Sequence, residues 1–351
     1  METNAQFLDR LTQPAWIYEE ESNGVRCLAC AHQCLVLPGK RGVCKMRTNK
    51  DGVLHSPWGY VAAMNADPIE KKPFMHFLPG SLALTFGMLG CNFHCDFCQN
   101  WVSSQTLRDP ASASALRYIR EIQPEGVVAA AERAGAKVIA SSYNEPLITT
   151  EWAIDIFNIA QEKGMRCVYV SNGFATERVL KALQPTLDGL KIDLKCFSDE
   201  HYRTLGGRLE QVCHTIQFAH DLGIWVEVVS LVIPDFNDST QELWQMAEFV
   251  RSVSADIPWH VTAFYPTYHH TSAGRTPPET LQLAAEIGQE AGLQYVYAGN
   301  LPGRVGSLEN TYCPHCQSLL VKRWGYRVEE NCVTDENTCP QCGQVVAGVW
   351  H

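Results

Sequence analysis

The chain has 351 residues, of which 46% are hydrophobic, so it can bury one large core and carry smaller appended segments. A formal net charge of -10 argues against electrostatic binding of bulk nucleic acid, although it leaves room for a local basic patch. The longest apolar runs, such as 226–233, are too short to cross a bilayer, and the N-terminus does not resemble a signal peptide, which predicts a cytoplasmic protein without a membrane span.

Fifteen cysteines are present, and most of them fall in three clusters. Without an export signal, clustered cysteines indicate metal or iron–sulfur ligation in a reducing compartment rather than disulfides. The clusters divide the chain into an N-terminal Cys-rich segment (1–75), a central domain (76–305) and a C-terminal module (306–351). The cysteines outside the clusters are interpreted as small buried hydrophobic side chains: Cys167, Cys196, Cys213 and Cys332.

The N-terminal cluster offers four thiolates, from Cys27, Cys30, Cys34 and Cys44. Four ligands suit either a zinc ion or a closed [4Fe–4S] cluster, and the spacing does not choose between them. A zinc ion would attach the segment to the central domain, whereas a cluster could relay electrons to a second redox site. We favour the structural role, because small metal-held folds are the commoner case.

The second cluster follows a strand predicted over 82–86 and comprises Cys91, Cys95 and Cys98. Three thiolates on one short loop can hold three corners of a cubane [4Fe–4S] cluster and leave the fourth iron open. An open metal position is where a substrate or cofactor binds. The alternatives are a structural zinc loop, with a histidine of the loop as fourth ligand, and an electron-transfer cluster, which would need a fourth cysteine nearby.

Predicted strands and helices then alternate along the central domain. The strands are short and apolar, and several helices end at a glycine. Repeated βα units require a parallel sheet, and six units with a further strand predict a partial or complete βα barrel. The predicted strands are 82–86, 137–141, 166–171, 189–193, 224–231, 260–264 and 295–298, and the predicted helices are 125–134, 150–163, 176–183, 209–222, 240–253 and 279–291.

Polar residues directly follow several of these strands, as expected for a βα barrel, whose chemistry lies at the carboxyl ends of its strands. Plainer interpretations are a proline-punctuated turn for Asn144 and Glu145, an Asn-capped turn for Ser171 and Asn172, and a surface lysine for Lys195. The residues are Asn144 and Glu145 after the second strand, Ser171 and Asn172 at the third, and Asp193 and Lys195 at the fourth.

One charge, Glu227, interrupts an otherwise apolar strand. It is predicted either to face the barrel interior with a functional role or to pair with a buried base. His260, at the start of the next strand, is interpreted as structural, the commoner role of a lone histidine in such a position.

The C-terminal cluster consists of two Cys-Pro-X-Cys units separated by 22 residues. This spacing is typical of a zinc ribbon or a rubredoxin-like site, with zinc favoured over mononuclear iron. The module is too short for a large core, so the metal is expected to supply much of its folding free energy. The ligands are Cys313, Cys316, Cys339 and Cys342.

The spacing of the central cysteines, placed after the first strand of a βα barrel, resembles the signature of the radical S-adenosylmethionine (SAM) superfamily. The resemblance implies an α/β fold built on a partial (β/α)6 barrel, a [4Fe–4S] cluster and SAM bound to its open iron. In that superfamily the reduced cluster cleaves SAM to a 5′-deoxyadenosyl radical, which abstracts hydrogen from a substrate.

The resemblance also implies which residues contact SAM. Phe97 matches an aromatic position near the adenine, and Asn144 with Glu145 replaces a Gly-Gly-Glu segment that holds the SAM amino group. The remaining positions are similar to motifs of pyruvate formate-lyase activating enzymes that contact the ribose or carboxylate: Ser171, Asn172, Asp193 and Lys195, the last near the carboxylate.

Residues 91–303 resemble the activating enzymes, and the segments 27–47, 143–146 and 299–303 with the C-terminal cysteines resemble one subgroup, the radical SAM component of the AmmeMemoRadiSam system. The resemblance implies an oxidoreductase, an electron donor such as flavodoxin or ferredoxin, and a protein substrate, for instance one in which a glycyl radical forms. Modification of RNA or of a small metabolite, and a non-catalytic iron–sulfur electron carrier, are the alternatives.

Overall fold

The structure, a computed structural model, describes residues 3–351. Its N-terminal part consists of short elements: α1 Asn4–Arg10, β1 Thr12–Pro14, β2 Tyr18–Glu21, β3 Gly24–Cys27, β4 Leu35–Val36, β5 Thr48–Lys50, β6 Val53–Pro57 and β7 Tyr60–Val61. Strands β1 to β6 form two small antiparallel sheets, β1-β6-β5 and β2-β3-β4. Of the predicted N-terminal ligands, Cys27 ends β3, Cys30 and Cys34 lie between β3 and β4, and Cys44 lies between β4 and β5.

The strands of the central part are β8 Ala63–Pro68, β9 Leu82–Gly87, β10 Arg120–Glu121, β11 Val138–Ser141, β12 Arg166–Ser171, β13 Gly189–Asp193, β14 Trp225–Val232, β15 Trp259–Ala263 and β16 Val296–Gly299. All except β10 form one sheet in the order β16-β15-β14-β13-β12-β11-β9-β8. The strands from β9 to β16 run parallel, and β8 is added antiparallel at the edge. The predicted partial βα barrel is confirmed, and each predicted strand is present with ends that differ by at most one residue.

Helices follow the strands: α2 Trp101–Ser104, α3 Pro124–Ala134, α4 Thr150–Glu162, α5 Glu177–Leu183, α6 Asp199–Leu205, α7 Leu209–Asp221, α8 Thr240–Val253 and α9 Pro278–Glu290. Each predicted helix is present, and α8 shows why: Ser239 caps its first turn, and its buried residues recur every three or four positions along one face. Throughout residues 3–351, the helices are all too short or too polar to span a bilayer.

The C-terminal module contains a three-stranded antiparallel sheet of β17 Thr311–Tyr312, β18 Leu319–Trp324 and β19 Arg327–Asn331. Arg323 of this sheet donates to the carbonyl oxygen of Met75, before β9, at 2.7 Å. Trp324 packs against Gly303, after β16. The module therefore contacts the chain just before β9 and just after β16, the first and last strands of the parallel sheet. The domain boundaries at 75 and 305 stay predictions.

Glu227 on β14 is fully buried and paired with a base. Its Oε2 lies 2.7 Å from Nε2 of His260 on β15, and its carboxylate also accepts the backbone N–H groups of Met75 and His76 at 2.9 Å. Burial raises the pKa of Glu227, but the hydrogen bond and charge of His260 outweigh it, so the pKa is lowered. The two expectations for Glu227 are a functional role in the barrel interior and a pair with a buried base, and its contacts match the second.

We expect Glu227→Ala to lower the free energy of unfolding by about 3–5 kcal/mol, because it leaves His260 and two buried N–H groups without their partner. The measurement is the urea midpoint of metal-loaded protein. Glu177→Ala, which removes an exposed partner of Lys181, is the control and should leave the midpoint nearly unchanged. Equal midpoints for the two variants would contradict the role assigned to the buried pair.

Candidate active site

The three central thiols lie on the loop that leaves β9. The Cys91 Sγ accepts the backbone N–H of Phe93 at 3.3 Å, and Nδ2 of Asn172 donates to it at 3.8 Å. The Cys98 Sγ lies 3.2 Å from the hydroxyl of Ser104, on α2. Hydrogen-bond donors directed at sulfur favour the thiolate form that metal ligation requires.

Gly90, just before the first thiol, allows the loop to approach the N-terminal segment. Its φ is +88°, a conformation that favours glycine. A Cβ at this position would clash with the side chain of Met46 and lie 3.3 Å from the carbonyl oxygen of Cys44. The central loop and the N-terminal Cys-rich segment are therefore in direct backbone contact.

The thiols share a cavity of about 110 Å³ with the polar residues that end β11, β12 and β13. Because parallel strands end at the same edge of the sheet, residues far apart in sequence meet there. Of the ten central residues expected at the site, nine line this cavity: Cys91, Cys95, Cys98, Asn144, Glu145, Ser171, Asn172, Asp193 and Lys195.

Phe97 is buried outside the lining of this cavity. Its ring packs against the ring of Phe236 at 5.6 Å between centroids, and the ammonium of Lys195 lies 6.0 Å from its centroid. The loop after β15 covers the thiol loop. The backbone N–H of His270 in that covering loop donates to the carbonyl oxygen of Asp96 at 3.1 Å. Phe97 thus lies beside the cavity and supports one of its lining residues.

Glu145 is the best-bonded acid in the cavity. Oε1 accepts from the Ser171 hydroxyl at 2.7 Å and the Leu147 N–H at 3.1 Å, and Oε2 accepts the Asn172 N–H at 2.8 Å. Burial raises its pKa to about 7, although these hydrogen bonds oppose the shift. A carboxylate offers roughly four acceptor positions, so one is left for a cationic ligand, which would also restore the charged form.

Asn144 and Asn172 hold neighbouring strand ends together. Oδ1 of Asn144 accepts the N–H of Met88, after β9, at 2.9 Å. Nδ2 of Asn172, after β12, donates to Oδ1 of Asn92 in the thiol loop at 2.7 Å. Both amides are thus engaged by the protein, which keeps the thiol loop in register with β11 and β12.

Asp193 lies between two lysines. Its carboxylate pairs with Lys191 and with Lys195, the latter at 3.2 Å. Burial raises the pKa of Asp193, but the two ammonium groups outweigh it and bring the pKa to about 2. Lys191 was missed by the sequence analysis; its position two residues before Asp193, on the same face of β13, was the available signal.

The donor set fits a [4Fe–4S] cluster at the central loop. In the part of the chain that the structure describes, the three thiols are not gathered within 4.8 Å of one another, as the ligands of a single ion would be. Burial raises the pKa of Cys91 and brings that of Cys95 to about 12, so a cationic centre is needed to hold both as thiolates. Nδ2 of Asn92, buried beside Cys91, has no hydrogen-bond partner among residues 3–351 and can donate to a sulfur of such a cluster.

Two of the N-terminal thiols, Cys27 and Cys44, lie near a buried ion pair. Three of the four thiols are buried, and Cys34 is partly exposed and accepts the N–H of Val43 at 3.4 Å. The guanidinium of Arg47, which pairs with Glu151 of α4, lowers the pKa of Cys27, but burial outweighs it and raises that pKa to about 11. The pair attaches this segment to the barrel.

The C-terminal thiols are arranged for one metal ion. All four lie within 4.8 Å of one another, and the Cys313–Cys342 and Cys316–Cys339 sulfur pairs are each 3.6 Å apart. Tetrahedral Zn–S bonds of about 2.3 Å would separate the sulfurs by about 3.8 Å. The arrangement fits a zinc ribbon, as predicted, and the identity of the metal stays a prediction.

Comparison with known proteins identifies the family. A model of the Radical SAM superfamily matches residues 86–250, which include the thiol loop and the lining ends of β11, β12 and β13. The chain belongs to the radical SAM superfamily. Uncharacterized protein MJ0808 from Methanocaldococcus jannaschii is 39% identical over 336 residues, or 95% of this chain and 98% of that protein.

Two further comparisons give lower identities. A probable GTP 3′,8-cyclase from Methanococcus maripaludis is 23% identical over 249 residues, covering 67% of this chain and 80% of that protein. A domain of pyruvate-formate lyase-activating enzyme from Bacteroides vulgatus superposes with a TM-score of 0.39 and 19% identity, over 46% of this chain and 98% of that domain. Membership of the superfamily implies a [4Fe–4S] cluster, SAM and a reductant. The AmmeMemoRadiSam subgroup stays a prediction.

We expect Gly90→Ala to destabilise the protein by about 1–3 kcal/mol and to lower its iron content, because the new Cβ strains the backbone and clashes with Met46. Gly135→Ala is the matched control, since Gly135 also has a positive φ but meets nothing within 4 Å. The readouts are the denaturation midpoint and iron per chain. If the two variants behave alike, the close approach to the N-terminal segment is not important.

We expect Cys313→Ala to lose about one equivalent of zinc per chain and to lower the denaturation midpoint more than it lowers SAM cleavage. Cys332→Ala, outside the four-thiol set, is the control for loss of a cysteine in the same module. Elemental analysis and thermal unfolding provide the measurement. A Cys313→Ala variant that unfolds normally and loses only turnover would show that this site is not structural.

Proposed function

We propose that this enzyme reductively cleaves SAM at a [4Fe–4S] cluster held by Cys91, Cys95 and Cys98, and abstracts hydrogen from its substrate. The observation that supports this is one cavity that combines three thiols on a single loop with the buried acid Glu145 and the Asp193–Lys195 pair. When bound, such a cluster with SAM supplies an electron to the sulfonium and so generates the 5′-deoxyadenosyl radical.

The residues of the cavity suit the two polar ends of the methionine part of SAM. We assign the SAM ammonium to the remaining acceptor position of Glu145, whose carboxylate is held by three hydrogen bonds. We assign the SAM carboxylate to Lys195, whose ammonium is held in place by Asp193. Opposite charges at fixed positions would orient the sulfonium relative to the thiol loop.

Asn144, Ser171 and Asn172 are positioning residues in this proposal, because their polar groups hold the strand ends and the Glu145 carboxylate. Phe97 is proposed to limit the adenine side of the cavity. Its ring lies beneath Lys195 rather than in the cavity lining, so an adenine contact requires the ligand to extend past Lys195.

For the substrate we propose a protein or peptide, on the resemblance of residues 91–303 to activating enzymes. A small metabolite is the second candidate, supported by the similarity to a probable GTP 3′,8-cyclase. RNA is a weaker candidate because the chain carries a net charge of -10.

A flavodoxin or ferredoxin is the proposed reductant, and zinc is the proposed metal of the C-terminal site. Membership of an enzyme superfamily argues against the carrier alternative.

We expect the triple variant Cys91→Ala, Cys95→Ala, Cys98→Ala to form no 5′-deoxyadenosine from SAM under reducing conditions, because the three proposed ligands are gone. The control is Cys213→Ala, a cysteine outside the three clusters. Product is measured by chromatography after anaerobic reconstitution. SAM cleavage that persists in the triple variant would overturn the proposed function.

We expect Glu145→Gln to weaken SAM binding by about tenfold or more, since it removes the charge that faces the ammonium and keeps the side-chain shape. Ser171→Ala, which removes one hydrogen bond to the same carboxylate, should weaken binding less. Binding is measured by calorimetry on reconstituted protein. Unchanged affinity in Glu145→Gln would place the ammonium elsewhere.

A further experiment separates the candidate substrates. Proteins or metabolites of a cell extract are labelled with deuterium and added to reduced enzyme with SAM. Transfer of deuterium into 5′-deoxyadenosine from the macromolecular fraction supports a protein substrate, and transfer from the small-molecule fraction supports a metabolite.

A further inference from the structure

Three sets of clustered thiols in one chain can be compared directly. The C-terminal set is compact, with all four sulfurs within 4.8 Å of one another. Across residues 3–351, no three of the N-terminal thiols meet that limit, and the central thiols do not either. A cubane distributes its ligands over separate irons, so its thiolates stand farther apart than those around a single ion. The N-terminal set, like the central set, therefore lacks the compact arrangement of the zinc ribbon.

The N-terminal set also lies directly beside the central loop. The carbonyl oxygen of Cys44 would lie 3.3 Å from a Cβ on Gly90, and consecutive Cα atoms are about 3.8 Å apart, so the Cα atoms of Cys44 and Cys91 lie within roughly 11 Å. His32, between two of the N-terminal thiols, has its Nε2 3.1 Å from the carbonyl oxygen of Asn92. Electrons can tunnel between iron–sulfur clusters over such a distance.

The loop between β4 and β5, which carries Cys44, contains basic residues and no acid, whereas the exposed acids of the neighbouring sheet, Glu19, Glu20 and Glu21, lie on β2. Large apolar side chains flank the thiols and are exposed: Leu35 by 39%, Leu37 by 42% and Val43 by 42%. The exposed lysines Lys40 and Lys45 lie in the same loop. Exposed apolar side chains beside positive charges in one loop fit an acidic protein partner, and flavodoxins and ferredoxins are acidic.

We infer that Cys27, Cys30, Cys34 and Cys44 hold a second [4Fe–4S] cluster, and that an acidic electron-transfer protein docks beside it. The relay role rests on the proposed function of the central site. One electron leaves a reduced flavodoxin or ferredoxin, enters at the N-terminal site and passes to the central site. The donor is oxidised by one electron, the central site is reduced by one, and the N-terminal site returns to its starting state.

The first test counts metals in two variants of the full chain. The central variant carries Ala at Cys91, Cys95 and Cys98; the N-terminal variant carries Ala at the other four thiols. The inference predicts roughly eight irons in the parent protein and roughly four in each variant. The EPR signal of the reduced central variant should not respond to SAM, whereas that of the N-terminal variant should.

The outcomes separate this inference from the proposed function. Zinc without iron in the N-terminal site of the central variant would overturn the second cluster. A signal in the N-terminal variant that ignores SAM would overturn the proposed function and leave the second cluster standing. If the N-terminal variant fails to fold, Cys34→Ser, at the partly exposed thiol, replaces it, and the inference then predicts a shifted reduction potential with the iron count of the central site retained.

The second test addresses docking and relay. Lys40→Glu with Lys45→Glu should slow reduction by flavodoxin or ferredoxin by about tenfold at low salt and leave reduction by dithionite unchanged. Lys322→Glu with Arg327→Glu, two exposed bases on the C-terminal module, is the charge-matched control. An unchanged rate with the protein donor would overturn the docking surface. Equal rates of central-site reduction by the protein donor in the parent and the N-terminal variant would overturn the relay.

Discussion

One buried carboxylate holds together the strand ends that form the active-site cavity. Glu145, after β11, accepts hydrogen bonds from the hydroxyl of Ser171 and the backbone of Asn172, at the end of β12. Its neighbour Asn144 accepts from Met88, after β9. Each of these contacts is buried, so losing one leaves an unpaired donor at a cost of about 1–3 kcal/mol. These buried hydrogen bonds keep the proposed SAM contacts and the thiol loop in their relative positions.

The second constraint is the close approach of the N-terminal segment to the thiol loop. It requires a glycine at position 90, and the buried pair of Arg47 with Glu151 holds the segment against the barrel. A charged pair of this kind contributes little net stability, but it specifies one arrangement of the two parts. At the other end, the C-terminal module contacts the chain before β9 and after β16, so both appended segments depend on the barrel for their position.

Much of the fold could be predicted because local signals agreed with the tertiary structure. The parallel strands are short apolar runs, the helices carry buried residues at helical spacing, and glycines such as Gly164 and Gly223 follow helix ends. The antiparallel strand β8 was not predicted, since Ala63–Pro68 is half-exposed and lacks an apolar face. Lys191 was also missed, because only the pairing with Asp193 distinguishes it from a surface lysine.

The sequence by itself determined the superfamily signature, the order of the βα units and the grouping of cysteines into three clusters, because thiol spacing and strand periodicity are local properties. Tertiary structure decided which thiols gather around a single point, which acid is bonded to which strand end, and that the N-terminal segment touches Gly90. These depend on the folded positions of residues far apart in the chain, such as Cys44 and Cys91, and no local pattern encodes that distance.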